Sequence, residues 1–309
     1  MASRFFYDNI TLDRAHHLRM DDNWLSSNLT RDSIKIIPVW RSQNLIFTSG
    51  DSKNNPIAAI LSGNTADIVR KNAKTLVFLG MKDDVIYYAA DLSHIEDPHS
   101  TILPKGTRFD DLRRLATTLD PVKAGYLAYA RALIHWHQGH QFCGICGQPT
   151  KSCRGGHERS CSNAKCGKSH FPRTDPAVIM LVTHPKEDKC LLGHNKKFQG
   201  LRFSTIAGFV EPGETLEQAV TREVFEETNI RVVDVTYKAS QPWPFPASIM
   251  LGFNAQAITT KIICRDKELT EARWFSRAEV IRMAKKHEML PPASLSISRW
   301  LIDCWLSEK

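Results

Sequence analysis

One segment limits what this chain can fold into more than any other: Leu216-Glu-Gln-Ala-Val-Thr-Arg-Glu-Val-Phe-Glu-Glu-Thr228. Its length and pattern predict a helix over 216–228, entered through the Pro212-Gly213 turn. Glu214 and Glu217 suit the positive end of its dipole. At about 100° per residue, Leu216, Ala219 and Val220 share one face. Glu223, Glu226 and Glu227 continue that same face. A charge run on a helix ordinarily faces water, but these carboxylates prolong the core-facing stripe, and Phe225 points roughly the other way. Crowded carboxylates raise one another's pKa, and a bound divalent cation removes the conflict. Hard oxygen ligands suit Mg²⁺ or Mn²⁺, with phosphate oxygens and waters completing the shell. Arg222, four residues before Glu226, is placed to orient it and reads as structural support.

The cysteines form the second constraint. Five of the eight lie between Cys143 and Cys166. Cys143-Gly-Ile-Cys146 and Cys161-Ser-Asn-Ala-Lys-Cys166 are two knuckles, each followed by a glycine, Gly147 and Gly167. Two tight turns supplying two thiolates each make a closed tetrahedral Zn²⁺ site, structural because no position stays open for water. The competing reading is reduced structural cysteines or a disulfide pair. Cys153 has no partner at knuckle spacing and reads as a spare. His135, His137, His140 and His170 flank the cluster, but four cysteines suffice, so they are assigned to packing or helix ends.

Around these two features the chain of 309 residues divides into three parts. Residues 1–138 form an α+β domain without a chemical motif. Its strands are expected at 34–40, 44–47, 74–79 and 85–88, with turns at Ser49-Gly50-Asp51 and Lys53-Asn54-Asn55-Pro56. A helix follows over 122–137 and is expected to take Gly139 as its C-cap. The zinc ribbon covers 139–172. A domain at 173–309 opens with a buried strand at 177–182 and a hairpin partner at 189–192. A later strand begins at Ser248, and the last helix covers 295–306. No internal repeat is visible.

Lys plus Arg is 41 and Asp plus Glu 33, a formal charge of +8 that favours anionic partners such as phosphate esters without marking a nucleic-acid binder. Apolar runs fall far short of the ~18 residues of a membrane span. The N-terminus lacks the apolar core of a secretory signal, and the C-terminal Ser-Glu-Lys is not the peroxisomal address. The expectation is a cytoplasmic protein with no membrane partner.

The stretch Gly208 to Ile230 resembles the Nudix box, G-x5-E-x7-R-E-U-x-E-E-x-G-U, where U is aliphatic. Gly208, Glu214, Arg222, Glu223, Val224, Glu226, Glu227 and Ile230 match it. Asn229 replaces the final glycine, a residue second only to Gly in a left-handed cap. Downstream, Ser240-Gln-Pro-Trp-Pro-Phe-Pro-Ala-Ser248 is similar to S-Q-P-W-P-F-P-x-S, the mark of the NADH pyrophosphatase branch, whose members also carry a zinc ribbon and an N-terminal domain. From composition alone, the Pro-aromatic stretch is equally a stiff wall for stacking bases or a rigid loop packed on a neighbour.

The resemblance implies an α+β chain: a Nudix α/β/α sandwich preceded by the ribbon and the N-terminal domain. It implies hydrolysis of the pyrophosphate of NADH or NAD⁺ to NMN(H) and AMP, removal of NAD caps from RNA 5′ ends, and a homodimer. Glu223, Glu226 and Glu227 would be catalytic and, with the carbonyl of Ala207 and with Glu268 (or Glu271), would hold Mg²⁺ or Mn²⁺. Cys143, Cys146, Cys161 and Cys166 would hold Zn²⁺. Phe171, Phe209, Gln241, Pro242, Trp243, Pro244, Phe245, Pro246, Ala247, Ser248 and Ser298 would form the substrate pocket. The rival class is a zinc-ribbon nucleic-acid-binding module with an inactive Nudix fold; retained carboxylates with no metal to hold would be destabilising and argue against it.

Overall fold

The computed structural model describes residues 5–29, 33–48, 56–115, 118–197, 200, 202–264, 268–285 and 295–308. The turn Ser49-Gly50-Asp51 and most of the turn before Pro56 lie outside them. Contacts divide the chain into two compact units. One holds Phe6–Arg173 and Pro244–Ala247; the other holds Met1–Phe5, Thr174–Trp243 and Ser248–Lys309.

The first unit begins with α1 (Asp22–Asn28), β1 (Ile34–Trp40), β2 (Gln43–Phe47), β3 (Ile57–Ala58), α2 (Gly63–Lys71), β4 (Thr75–Lys82) and β5 (Val85–Asp91). It continues with α3 (Pro98–Thr101), β6 (Thr107–Asp110), α4 (Leu112–Leu115) and α5 (Pro121–Gly139). Its sheet runs β3-β2-β1-β5-β4, with β6 paired to β2. Only β1 and β5 are parallel, from Ile34 opposite Ile86 to Val39 opposite Asp91. Ala66 and Val69 of α2 join Ile36, Leu45, Phe78, Ile86 and Tyr88 in one core. Helix α5 packs on β1, β4 and β5. It starts where Asp120 accepts from Lys123 N at 2.9 Å and Pro121 presets φ. Its end differs from expectation. Gly139 is the last helical residue, and the cap is His140 at φ −121°, whose Nδ1 donates to Trp136 O at 2.8 Å. The imidazole does the capping, so no left-handed glycine is needed. The unit closes with β7 (Thr150–Cys153), β8 (Glu158–Cys161) and β9 (Ser169–His170), a small antiparallel sheet.

The second unit contains β10 (Asp175–Thr183), β11 (Lys189–Asn195), β12 (Ile206–Phe209), α6 (Leu216–Thr228), β13 (Val232–Trp243), β14 (Ser248–Ala257), β15 (Leu269–Ser276), α7 (Arg277–Lys285) and α8 (Ile297–Ser307). Its sheet runs β13-β14-β10-β11-β15, with β12 paired to β10. The alternation of β10 explains the layering. Val178, Met180 and Val182 join Ala219, Val220 and Val224 of α6. Ile179 and Leu181 join Val280 of α7 and Ile297, Leu301 and Trp305 of α8. A strand covered on both faces reads as a continuous apolar run, as 177–182 does. The result is an α/β/α sandwich.

Compared strand by strand, the two sheets have one topology. β1 and β5 pair in parallel as β10 and β14 do. β1–β2, β4–β5 and β2–β6 are antiparallel, as are β10–β11, β13–β14 and β11–β15. The antiparallel bridge between Ile36 and Leu61 stands where β10 pairs β12. The chain therefore repeats a fold that its sequence does not reveal as a repeat, because only burial and pairing are shared.

Candidate active site

Helix α6 is bounded by local chemistry. Thr215 and Gln218 form a capping box: Thr215 Oγ1 accepts from Gln218 N at 3.2 Å, and Gln218 Oε1 accepts from Thr215 N at 2.8 Å. At the other end Asn229 takes the left-handed conformation, φ 62°, and donates its N–H to Phe225 O at 2.8 Å. Between these ends Ala219, Val220, Val224, Glu227 and Thr228 are buried. The apolar stripe does pass into Glu227, while Glu226 lies at its edge with a half-exposed side chain.

Arg222 ties the loop before the helix to the carboxylates. Its Nε donates to Glu214 Oε1 at 2.6 Å and its Nη2 to Glu214 Oε2 at 2.9 Å and to Phe209 O at 2.8 Å. Its Nη1 donates to Glu223 Oε1 at 2.8 Å and Glu226 Oε2 at 3.0 Å. One guanidinium thus meets three carboxylates and a backbone carbonyl, the supporting role its spacing suggested. Hydrogen bonds from Arg222, then from Glu211 N–H, hold Glu214 down at about 2. Glu223 goes the other way. Burial raises its pKa against the pull of Arg222, and the charges of Glu226 and Glu268 raise it further.

Gly208 has a steric reason to lack a side chain. A Cβ there would stand 1.9 Å from the carboxyl carbon of Glu223. The glycine opens the space in which that carboxylate lies against β12. Ala207, its neighbour, is half-buried on the same strand. Two later glutamates differ in their surroundings. Glu271 is engaged by Arg273 at 2.8 Å, whereas the charge of Glu268 acts on Glu223. Glu223 and Glu226 both bond the Arg222 guanidinium, and their oxygens are the hard donors that a divalent cation takes.

The pocket residues divide. Phe209 is 59% exposed at the end of β12, beside the carboxylates. Phe171 is also exposed and lies in the other unit. Pro242 and Pro246 are exposed, and Trp243, Ala247 and Ser248 are half-buried. Four of the expected pocket residues have partners within the protein. Gln241 is fully buried: its Nε2 donates to Leu295 O at 3.2 Å and its Oε1 accepts from Ile297 N at 2.9 Å. It anchors the start of α8, and its amide keeps one N–H and one lone pair beyond these two bonds. Ser298 is buried too, its Oγ bonded to Thr205 N at 3.1 Å and Thr205 Oγ1 at 2.9 Å. Pro244 is buried, and its carbonyl accepts from Arg131 Nη1. Phe245 sits 5.6 Å from the ring of Tyr7, with the Arg131 guanidinium 4.9 Å from its centre. Both residues of this pair make contacts within their own unit. Arg131 went unnoticed in the sequence, although a lone arginine within the apolar stripe of α5 was the available signal.

The four cysteine sulfurs of the knuckles lie within 4.8 Å of one another. Cys143 to Cys166 is 3.8 Å and Cys146 to Cys161 is 3.4 Å. A tetrahedron with Zn–S bonds of about 2.3 Å has edges of about 3.8 Å, so the set fits such an ion. All eight cysteines are free, which removes the disulfide alternative. Cys153 stays apart, its sulfur 3.5 Å from Lys151 O. Backbone N–H groups of Ile145 and Asn163 point at Cys143 and Cys161 at 3.5 and 3.4 Å. His170 is not a packing residue: its Nε2 lies 3.3 Å from Cys143 Sγ, where an N–H donates to the sulfur.

Residues 173–301 match the NUDIX domain, and residues 35–136 match an NADH pyrophosphatase-like rudimentary NUDIX domain. The second match accounts for the repeated topology and corrects the reading that the chain holds no internal repeat. NAD-capped RNA hydrolase NUDT12 of Homo sapiens is 33% identical over 338 residues, covering 97% of this chain and 73% of that protein. NAD-capped RNA hydrolase NudC of Mycobacterium bovis is 37% identical over 270 residues, covering 82% and 84%. Nudix hydrolase 19, chloroplastic, of Arabidopsis thaliana is 39% identical over 269 residues, covering 80% and 61%.

Proposed function

The chain belongs to the Nudix hydrolases, in the NADH pyrophosphatase family, and from that premise we propose that it hydrolyses the pyrophosphate of NADH or NAD⁺. Water adds across the P–O–P bridge, giving NMN(H) and AMP. The same bond is cut when the dinucleotide caps an RNA 5′ end, the activity named for the human and mycobacterial relatives. The observation that carries the reading is Glu223 held against Gly208 with Glu226 and Glu268 acting on it.

Glu223, Glu226, Glu227 and Glu268, with the carbonyl of Ala207, would hold Mg²⁺ or Mn²⁺. When bound, such ions polarise the phosphate oxygens and neutralise charge on the leaving group. Arg222 fixes the orientation of Glu223 and Glu226 and locks the Phe209 carbonyl in place. The exposed ring of Phe209 offers a face on which a base can stack. Phe171, Pro242, Trp243, Pro246, Ala247 and Ser248 remain our proposed substrate surface. Gln241, Pro244, Phe245 and Ser298 belong to the same proposed set. Cys143, Cys146, Cys161 and Cys166 hold one structural Zn²⁺ per chain. We read the chain as three functional parts, 1–138, 139–172 and 173–309, acting as a cytoplasmic homodimer. Among the described residues no helix is long and apolar enough to cross a membrane.

The binding-module alternative is not favoured by relatives that carry enzyme names across nearly the whole chain. The test is chromatographic product analysis with NADH, NAD⁺, ADP-ribose and NAD-capped RNA, each with Mg²⁺ or Mn²⁺. NMNH and AMP from NADH, or release of NMN from capped RNA, is the expected result. The ratio of kcat/KM values ranks the two substrates. Silence on all four overturns the proposal.

A further inference from the structure

A polar cavity of ≈ 290 Å³ lies within the unit that carries the four-cysteine cluster and is lined by Lys74, Asp91, Gln138, Gln141, Ser152 and Arg159 among others. Arg159 is only 8% exposed. Its Nε donates to Thr150 Oγ1 at 2.7 Å, its Nη2 to Thr150 O at 2.8 Å and its Nη1 to His137 Nδ1 at 2.8 Å. All three acceptors are uncharged. His137 gives its Nε2 proton to Gly156 O at 2.8 Å, which leaves Nδ1 a lone pair, and burial pushes its pKa down to about 4. A guanidinium keeps its charge at any ordinary pH. Buried charges are otherwise paired, and Arg159 makes no ion pair among the described residues. Two of its five N–H donors remain. Lys74 adds an ammonium that donates to Gln141 Oε1 at 3.1 Å.

The other wall is acidic. Asp91 is 3% exposed, and its Oδ1 accepts from Ser93 N at 3.0 Å and Gln138 Nε2 at 3.1 Å. Among the described residues its Oδ2 accepts from no group. The cavity therefore offers two cations to an anion and one carboxylate oxygen to a hydroxyl donor. Its volume lies at the bottom of the ~300–1,000 Å³ range of ligand sites. We propose that it is a binding site, distinct from the carboxylate cluster, for a ribose 5-phosphate group, free or as part of a nucleoside monophosphate. The phosphate lies on Arg159 and Lys74, and the ribose hydroxyls donate to Asp91. The proposal does not depend on the reaction above, because it is tested by binding without turnover.

Isothermal titration of the full chain with ribose 5-phosphate, AMP, ribose and inorganic phosphate tests it, in the wild type and in Lys74→Ala, Arg159→Lys and Asp91→Ala. Lys74 is exposed, so its variant tests the site without threatening the fold. Ribose 5-phosphate is expected to bind the wild type and to weaken at least about tenfold in Lys74→Ala and Arg159→Lys. Asp91→Ala should weaken ribose 5-phosphate and leave inorganic phosphate unchanged. AMP binding that is lost in Lys74→Ala assigns the source as a mononucleotide; AMP binding that survives it, with ribose 5-phosphate lost, assigns a sugar phosphate. The values of kcat and KM for the dinucleotide should stay within about twofold in Lys74→Ala. Equal binding of ribose 5-phosphate in the wild type and Lys74→Ala, or inorganic phosphate binding as tightly as ribose 5-phosphate, overturns the proposal.

Discussion

At the scale of single residues, the site depends on one missing side chain and one ion pair. Gly208→Ala brings a Cβ to 1.9 Å from the Glu223 carboxyl carbon, so the carboxylate must move. Displacing a reacting group by ~1 Å costs about 10²-fold. Turnover of Gly208→Ala should fall by about that factor, while overpacking lowers stability by only about 1–3 kcal/mol. Steady-state kinetics beside a thermal melt separates the two, and unchanged turnover would free Glu223 of its role. Glu214 makes a prediction about acid. Its pKa drops from 4.5 to about 2 because Arg222 bonds its ionised form. The folded chain then binds fewer protons than the unfolded chain in that interval. Its stabilisation is complete above about pH 4.5 and disappears as pH falls through about 2. Glu214→Gln should flatten the acid limb of the stability curve between those values, measured by denaturant melts across pH. A parallel limb in both proteins would show that the pair contributes nothing.

Among whole elements, β13 and the ribbon show motif residues bonded within the protein itself. Alternation along β13 turns Gln241 inward, where it serves the last loop carbonyl and the first N–H of α8. Gln241→Ala leaves these groups unpaired, at about 1–3 kcal/mol each. The melting temperature should fall with KM for NADH unchanged; the reverse outcome would return Gln241 to the pocket. In the ribbon, β9 delivers His170 to Cys143. Groups that hydrogen-bond a metal ligand typically contribute 10–100-fold in affinity, by order of magnitude about the same here. His170→Ala should weaken zinc retention on that scale in a chelator competition, and an unchanged affinity would reduce the contact to packing. The boundaries of α6 were legible because its capping box and its Asn229 cap are local; the inward turn of Gln241 was not, because it depends on α8, far along the chain.

Across the whole molecule, one topology appears twice with opposite chemical content. In the second unit the helix after the three-strand start carries the glutamate cluster. Its counterpart α2 offers Asp67, whose carboxylate is already taken by Arg70 and by Lys71 at 2.6 Å. That helix has no acidic stripe and no arginine spanning several carboxylates. Asp67→Asn should therefore leave kcat within about twofold of wild type, against the ~10²-fold expected at Gly208. A large loss would mean that the first unit takes part in the reaction. Two short segments also cross between the units' chain order, since Pro244–Ala247 groups with 6–173. The Pro-aromatic motif thus belongs to both, β13 and β14 in one unit and the turn in the other.

By itself the sequence determined the chemistry that is written at short range. The carboxylate face follows from residues three and four apart on one helix, and the four-sulfur cluster from two knuckles of fixed spacing. Such patterns survive because a single turn of helix or a tight loop enforces them whatever lies around it. Only the tertiary structure brought the charge of Glu268 to bear on Glu223, buried Gln241 and Ser298, and left Arg159 with no ion pair among the described residues on the wall of a cavity. Each of these depends on which strand faces which helix, a choice made by the burial of the whole sheet rather than by any neighbouring residues.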